Sequence, residues 1–222
     1  MPKVAEDWFR STGYSTRDME EFESRLNRSR PYNRAQYLRI KAVTLADLQN
    51  REAEETAFGL LRRIVDEYPD AWSEVNFAHE EMGSLYERMG RFADAEREYR
   101  WVVDSYSKTR SGTSGLCDLT LAELIIRTKQ SSKYPEAADL LVQAAKSTTM
   151  IFKSDWFRYW VASARLAKRV GRNSDAAEFA GKALAIAASK KPQFKRHPNV
   201  GTVVIDLSIQ QELEHLMTSN SL

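Results

Sequence analysis

Residues 74–106, EVNFAHEEMGSLYERMGRFADAEREYRWVVDSY, hold the clearest pattern in the chain. Apolar and small residues recur every three or four positions on both sides of Gly90, and this spacing predicts two amphipathic helices. Glycine adopts a positive φ angle without steric cost, so Gly90-Arg91 predicts the turn between them. The two apolar faces consist of Val75, Ala78, Met82, Leu85, Tyr86 and Met89 before the turn, and Phe92, Ala95, Tyr99, Val102, Val103 and Tyr106 after it.

The same two-helix unit recurs at three other places in the chain. Small residues at Ala95, Ala137 and Ala176 occupy equivalent positions in three of the units, where they allow two helices to approach closely. A larger side chain there would overpack the crossing by about 1–3 kcal/mol, so we expect these alanines to be buried. The other faces are Leu38, Ala42, Leu45 and Leu48 with Ala57, Leu61 and Ile64; Leu121, Leu124, Ile125 and Thr128 with Tyr134, Ala137, Leu141 and Ala144; and Trp160, Ala164 and Ala167 with Ala176, Ala180, Ala183 and Ala187.

These residues resemble the tetratricopeptide repeat, whose pattern is W-x2-L-G-x2-Y followed by Ala, Phe and Ala. The resemblance covers about residues 33–190, and the spacings between its small residues are irregular and longer than the usual repeat. It implies an all-α fold, a right-handed α-solenoid of about four helix pairs with capping helices at both ends. The best copy carries His79, Met82, Gly83 and Tyr86, then Ala95, Tyr99 and Val102.

We expect a single domain with three segments. Residues 1–32 form an amino-terminal cap, in which Ser15 and Thr16 can begin a helix at about residues 17–29. Residues 33–190 form the repeats. Residues 191–222 form a loop and a capping helix, which the apolar pattern places at about residues 203–217.

Composition narrows the class of protein. The 222 residues include only 9 glycines and 6 prolines, which disfavours an all-β fold rich in turns. No stretch is long and apolar enough to span a membrane, and the charged start MPKVAEDWFR does not match a signal peptide. Cys117 is the only cysteine, so no intrachain disulfide can form. We therefore expect a cytoplasmic protein without a membrane partner.

The sequence contains no recognisable catalytic motif. The Gly112–Gly115 stretch lacks the lysine of a phosphate loop, and His79-Glu80-Glu81 lacks the second histidine of a zinc protease. We expect His79 to pack at the aromatic position of its repeat and Cys117 to be a small buried residue. We therefore predict that the chain is not an enzyme and that it needs no cofactor or metal.

Charge is concentrated late in the chain. Residues 151–200 hold 11 Lys/Arg and 3 Asp/Glu, although the net charge of the whole chain is only +2. In tetratricopeptide proteins the first helix of each repeat lines a concave groove, so the resemblance places a partner there. The groove would be acidic and polar midway, then apolar, then basic. Its expected residues are Arg39, Glu80, Ser84, Glu87, Leu119, Ala122, Ile126, Arg158, Arg165, Lys168 and Arg169.

We predict a non-catalytic protein-interaction module, an adaptor or regulator, that holds an acidic peptide or a helix of a partner protein in this groove. Glu80, Ala122 and Val161 do not match the carboxylate clamp of repeats that bind chaperone tails. Two alternatives remain for the basic residues: an ordinary solvated helix face, or a nucleic-acid-associated regulator that uses residues 151–200. The oligomeric state stays open.

Overall fold

The computed structural model of the chain describes residues 7–189 and 191–218. Within these residues it contains ten α-helices and no strand, which confirms the predicted all-α class. The outermost parts of the two predicted caps, residues 1–6 and 219–222, and Lys190 lie outside the described residues. The helices are α1 (Thr16–Arg28), α2 (Pro31–Ala46), α3 (Arg51–Glu67), α4 (Trp72–Arg88), α5 (Phe92–Ser105), α6 (Cys117–Arg127), α7 (Tyr134–Lys146), α8 (Lys153–Arg169), α9 (Asn173–Ala188) and α10 (Leu207–Thr218).

The chain divides into two compact units, with the boundary after Ser114. In the first unit, α2 packs against α3 and α4, and α4 packs against α5. Short connections within these pairs make consecutive helices neighbours. The core between them is built from aliphatic side chains, and Leu38, Leu61 and Leu85 are fully buried in it.

An amino-terminal segment is anchored to α2 by a buried lysine. The Lys41 ammonium donates to the carbonyl oxygens of Ser11 and Gly13, both at 2.6 Å, and to the Ser11 hydroxyl at 2.8 Å. Burial lowers the pKa of Lys41, and the nearby Asp18 carboxylate opposes that shift. The helix expected at about residues 17–29 is α1, and Ser15 and Asp18 cap its start reciprocally.

In the second unit, α6 packs against α7, and α8 packs against α9. Helix α8 also contacts α6 and α10, and α10 covers α9. Leu213 and Leu216 of α10 are buried against Val161, Ala164 and neighbouring residues. The final helix was expected from residue 203, but it begins at residue 207. Val204 is 93% exposed, so the apolar residues before Leu207 do not form a buried helical face.

The expected alanine positions are buried. Ala95 and Ala137 have no exposed surface, and Ala176 is 1% exposed. These positions lie on α5, α7 and α9, each the second helix of its pair. A small side chain there allows close approach of the packed helices, as the sequence predicted.

Left-handed backbone geometry marks all four turns within helix pairs. Gln49 has a φ angle of 50°, Gly90 of 72°, Lys129 of 58° and Gly171 of 78°. Glycine adopts this geometry freely, whereas a residue with a Cβ atom is strained in it. The two glycine turns were recognisable in the sequence, and the other two use a glutamine and a lysine instead.

Three of these turns close with the same hydrogen bond. The amide after the left-handed residue donates to a carbonyl five residues earlier, in the last turn of the helix, as in a Schellman cap. The bonds run from Arg91 to Tyr86 (2.8 Å), from Gln130 to Ile125 (3.2 Å) and from Arg172 to Ala167 (2.9 Å).

No helix in the described part of the chain combines the length and the apolar character that crossing a bilayer requires.

Candidate interaction surfaces

Arg39 and Glu80, two of the predicted groove residues in the first unit, are engaged in internal contacts. The Arg39 guanidinium pairs with Glu74 of α4 and lies 4.9 Å from the centroid of the Phe77 ring. The Glu80 carboxylate accepts the Ser114 amide at 2.8 Å and also the Ser114 hydroxyl. Arg39 therefore joins two helices, and Glu80 joins α4 to the loop that follows α5.

Ser84 and Glu87, the other two groove residues of this unit, are half-buried on α4. Next to this face, Glu81 is also half-buried. Burial is the main cause that raises the pKa of its carboxyl, and the negative charge of Glu80 adds to the shift. Glu80, Glu81 and Glu87 thus place three carboxyl groups on this part of α4.

The apolar patch expected on α6 is not a surface. Leu119 and Ala122 have no exposed area and Ile126 is 2% exposed. The sequence pattern assigned these residues to the partner, and the structure corrects that assignment. Helix α6 is apolar on most of its circumference, so a single helical face could not separate its buried residues from exposed ones.

The two predicted arginines in the first and middle parts of α8 face carboxylates of the same unit. Arg158 pairs with Glu123 of α6 and donates to the Thr120 hydroxyl at 3.0 Å. Arg165 forms two hydrogen bonds to the Glu212 carboxylate of α10, at 3.0 and 2.7 Å. That bond pattern raises the pKa of Arg165. The expected basic stripe is thus largely neutralised along these positions.

Lys168 and Arg169, at the carboxyl end of α8, are exposed. Lys168 donates to the Asn173 side chain at 3.3 Å. No carboxylate in the described residues pairs with it, so its positive charge is not compensated. The Arg169 side chain has no hydrogen bond or ion pair within the described residues either. Of the predicted late basic residues, these two keep their charge available to a partner.

An apolar groove that sequence reasoning missed is lined by residues of α7, α8 and α9. Its volume is 290 Å³. Val142 on one side and Val170 on the other are each 48% exposed. Contiguous exposed apolar patches, rather than single exposed aliphatic residues, mark surfaces that bind other proteins. We name this feature the α7–α9 groove; its lining residues are Tyr134, Pro135, Ala138, Leu141, Val142, Tyr159, Ser163, Leu166, Ala167, Val170, Arg172 and Phe179.

The first unit has a groove at the equivalent place in its own helix pairs. It measures 670 Å³ and is lined by α3, the end of α4 and the turn that follows. When the chain is aligned on Gly90 and Gly171, three lining positions of one groove coincide with three of the other. These are Tyr86 with Ala167, Met89 with Val170, and Arg91 with Arg172. The first groove also contains Arg51, Glu54 and Glu55, so it is less apolar than the second.

The turn arginine has the same local partner in both grooves. Arg91 pairs with Asp94 at 2.6 Å, and Arg172 pairs with Asp175. The hydrogen bond from Arg91 is the main cause that lowers the pKa of Asp94. The sequence G-R-x-x-D-A occurs at 90–95 and again at 171–176, and in each copy the arginine lies three residues before its aspartate. This repeat could have indicated the shared geometry from the sequence.

His79 and Cys117, the candidate catalytic or metal-binding residues of the sequence, are both buried. His79 is buried, stacks on Trp101 with 3.8 Å between ring centroids, and its Nδ1 lies 2.7 Å from a Glu98 oxygen. Cys117 is buried, as expected. In the described parts of the chain, no three His, Cys, Asp or Glu side chains are grouped so that they could hold a metal ion.

Comparisons of the chain with protein-family models, with curated proteins and with solved structures each found no match.

Proposed function

We propose that the chain is a non-catalytic protein-interaction module with tetratricopeptide-like helix pairs, and that the α7–α9 groove holds a segment of a partner protein. The observation that carries this proposal is the groove itself, where aliphatic residues line a concave surface and two valines remain about half exposed. Partial exposure of this kind gives a partner apolar area to bury, at about 25 cal/mol per Å².

The proposed surface differs from the first-helix faces favoured by sequence reasoning. Leu119, Ala122 and Ile126 are buried, and Arg158 and Arg165 are paired internally. The first set therefore offers a partner almost no exposed apolar area, and the second offers it no unpaired charge. The α7–α9 groove combines apolar lining with few charges, so the fitting partner is an amphipathic helix that inserts apolar side chains.

A peptide selection tests this function and requires no named partner. Random peptides displayed on phage are selected on the immobilised full chain, and the affinities of the enriched peptides are then measured in solution. We expect apolar residues in these peptides at helical spacing. The variant V142K/V170K should weaken their binding by tenfold or more, which corresponds to about 1.4 kcal/mol.

The matched control places a lysine at an exposed valine outside the groove. Val204 is 93% exposed, and V204K should bind the peptides as the parent chain does. Equal binding by V142K/V170K and the parent would show that the peptides bind elsewhere. Failure to enrich any peptide above an empty surface would count against an interaction module.

A further inference from the structure

The loop between α9 and α10 is folded against the start of α8. The Gln193 side chain accepts the Lys153 amide at 2.9 Å and donates to the Ile151 carbonyl at 2.6 Å. In return, the Lys153 ammonium donates to the Lys191 carbonyl at 2.6 Å and to the Ser189 hydroxyl at 3.0 Å. We name residues 191–202 the basic loop. Three of these bonds fix its first part, and the fourth joins Lys153 to Ser189 at the end of α9.

Further contacts shape the rest of the basic loop. The Phe194 ring packs edge-on against Phe152 at 6.1 Å between centroids. Gly201 has a φ angle of 71°, and a side chain there would meet Gln193 and Phe152 at 2.7 and 3.3 Å. Backbone turns also join Val200 to the His197 carbonyl at 3.0 Å. The loop therefore has a defined geometry that its sequence alone did not reveal.

Three cations project from this framework without a carboxylate partner among the described residues. Lys191, Lys195 and Arg196 are all exposed, and they fall within six residues. The nearest acidic residues along the chain are committed elsewhere: Glu178 pairs with Lys182, and Asp206 accepts from Ser208. The three cations therefore have no ion pair in the described residues, in contrast to Arg158 and Arg165. The buried Asp155 carboxylate, which accepts the Phe152 amide, lies beside the loop but pairs with none of them.

We propose that the basic loop binds an acidic segment of a protein through Lys191, Lys195 and Arg196, with Phe194 as an apolar contact beside them. Charge complementarity supports this occupant, since three exposed cations on one structured loop match a short run of Asp and Glu side chains. Nucleic acid fits less well. Three phosphate contacts are about half of the number in a typical nucleic-acid complex.

This inference does not depend on the proposed function of the α7–α9 groove. The basic loop contacts Lys153 at the first turn of α8, whereas Val170 follows the last turn. Helix α8 has 17 residues, so at 1.5 Å per residue Lys153 and Val170 lie about 25 Å apart along the helix axis. Tyr159 is the groove residue of α8 nearest to Lys153, six positions away. Substitutions in one surface should leave the other intact.

The test measures binding of a fluorescent acidic peptide, composed of Asp and Glu with two phenylalanines, to the full chain at low and at physiological salt. The variant K191E/K195E/R196E should weaken binding by about tenfold or more. The matched control R17E/R62E/K146E changes the net charge equally at exposed positions outside the loop. It should weaken binding by less than about threefold.

A neutral variant separates loop geometry from charge. Q193A removes the two hydrogen bonds of the Gln193 side chain and leaves every cation in place. It should weaken binding of the acidic peptide by several fold. Circular dichroism checks that all variants remain folded. Equal weakening by the two charge-reversal variants, or unchanged binding by Q193A, would overturn the proposal. Tighter binding of a single-stranded RNA of equal charge would overturn it in favour of nucleic acid.

Discussion

Arg165 and Glu212 form a two-bond ion pair that joins α8 to the final helix, α10. Both side chains are more than one-third exposed, at 36% and 40%. The arginine that the sequence offered to a partner therefore helps to position a helix of its own unit. Leu213, the residue after Glu212, is fully buried, so the attachment of α10 has an electrostatic part and an apolar part.

The apolar part should dominate the attachment of α10. We expect Leu213→Ala to lower the free energy of unfolding by about 2–5 kcal/mol, because it leaves a cavity in a closed site. Glu212→Gln should cost less than about 1 kcal/mol, since a solvent-exposed ion pair contributes little. Urea unfolding of both variants checks the order. A larger loss for Glu212→Gln would mean that the ion pair, not packing, holds α10.

Replacing the lysine in the left-handed turn after α6 should stabilise the protein. Lys129 has a φ angle of 58°, a geometry that glycine adopts without strain. We expect Lys129→Gly to raise the free energy of unfolding by up to about 1 kcal/mol. Gly90→Ala, at a turn where a Cβ atom would meet only open space, should lower it by a similar amount because of the positive φ angle. Thermal unfolding measures both, and destabilisation by Lys129→Gly would contradict the turn assignment.

Removing the charge of Glu81 should stabilise the protein at neutral pH. The folded state raises the pKa of this carboxyl above its ordinary value of 4.5, chiefly through burial. Its ionised form is therefore disfavoured on folding, and its contribution to stability improves as the pH falls through the raised pKa. We expect Glu81→Gln to be more stable than the parent at pH 7, with the gain shrinking towards pH 4.

Chemical unfolding across this pH range tests the Glu81 prediction. Glu20→Gln, at an exposed position on α1, is the matched control and should show no such pH-dependent gain. A gain for Glu81→Gln that stays constant with pH would assign the effect to packing instead.

Loss of the Lys41 ammonium should release the amino-terminal segment. Lys41→Met keeps the aliphatic stem but leaves the Ser11 and Gly13 carbonyls without their donor. A hydrogen bond to a charged group contributes about 1.5–3 kcal/mol. We expect lower stability and faster proteolytic cleavage after Arg10, while Lys146→Met at an exposed position should behave as the parent chain. Unchanged cleavage in Lys41→Met would show that other contacts hold the segment.

The helix pairs were predictable because periodic apolar residues and turn glycines act locally. Gly90 and Gly171 marked their turns directly, whereas Lys129 gave no such signal, since its left-handed geometry is imposed by the surrounding helices. The start of α10 was predicted too early because Val204 is apolar but exposed. Local pattern alone does not state which apolar residues find a packing partner.

The candidate surfaces were predictable only in part. The charge of Arg158 and Arg165 was evident, but their carboxylate partners lie 35 and 47 residues away in the chain. The α7–α9 groove combines three helices, and Gln193 holds the basic loop through contacts about 40 residues distant. Such long-range juxtapositions depend on tertiary packing, which helical periodicity does not encode.

Methyl spectra of the full chain, labelled at leucine and valine, test the α7–α9 groove most directly. A phage-selected peptide is titrated into the labelled protein, and the shifted signals identify the surface that it contacts. We expect the largest shifts at Val142 and Val170, with little change at Val43 on α2. Shifts confined to the first-helix faces, with Val142 and Val170 unchanged, would contradict the account.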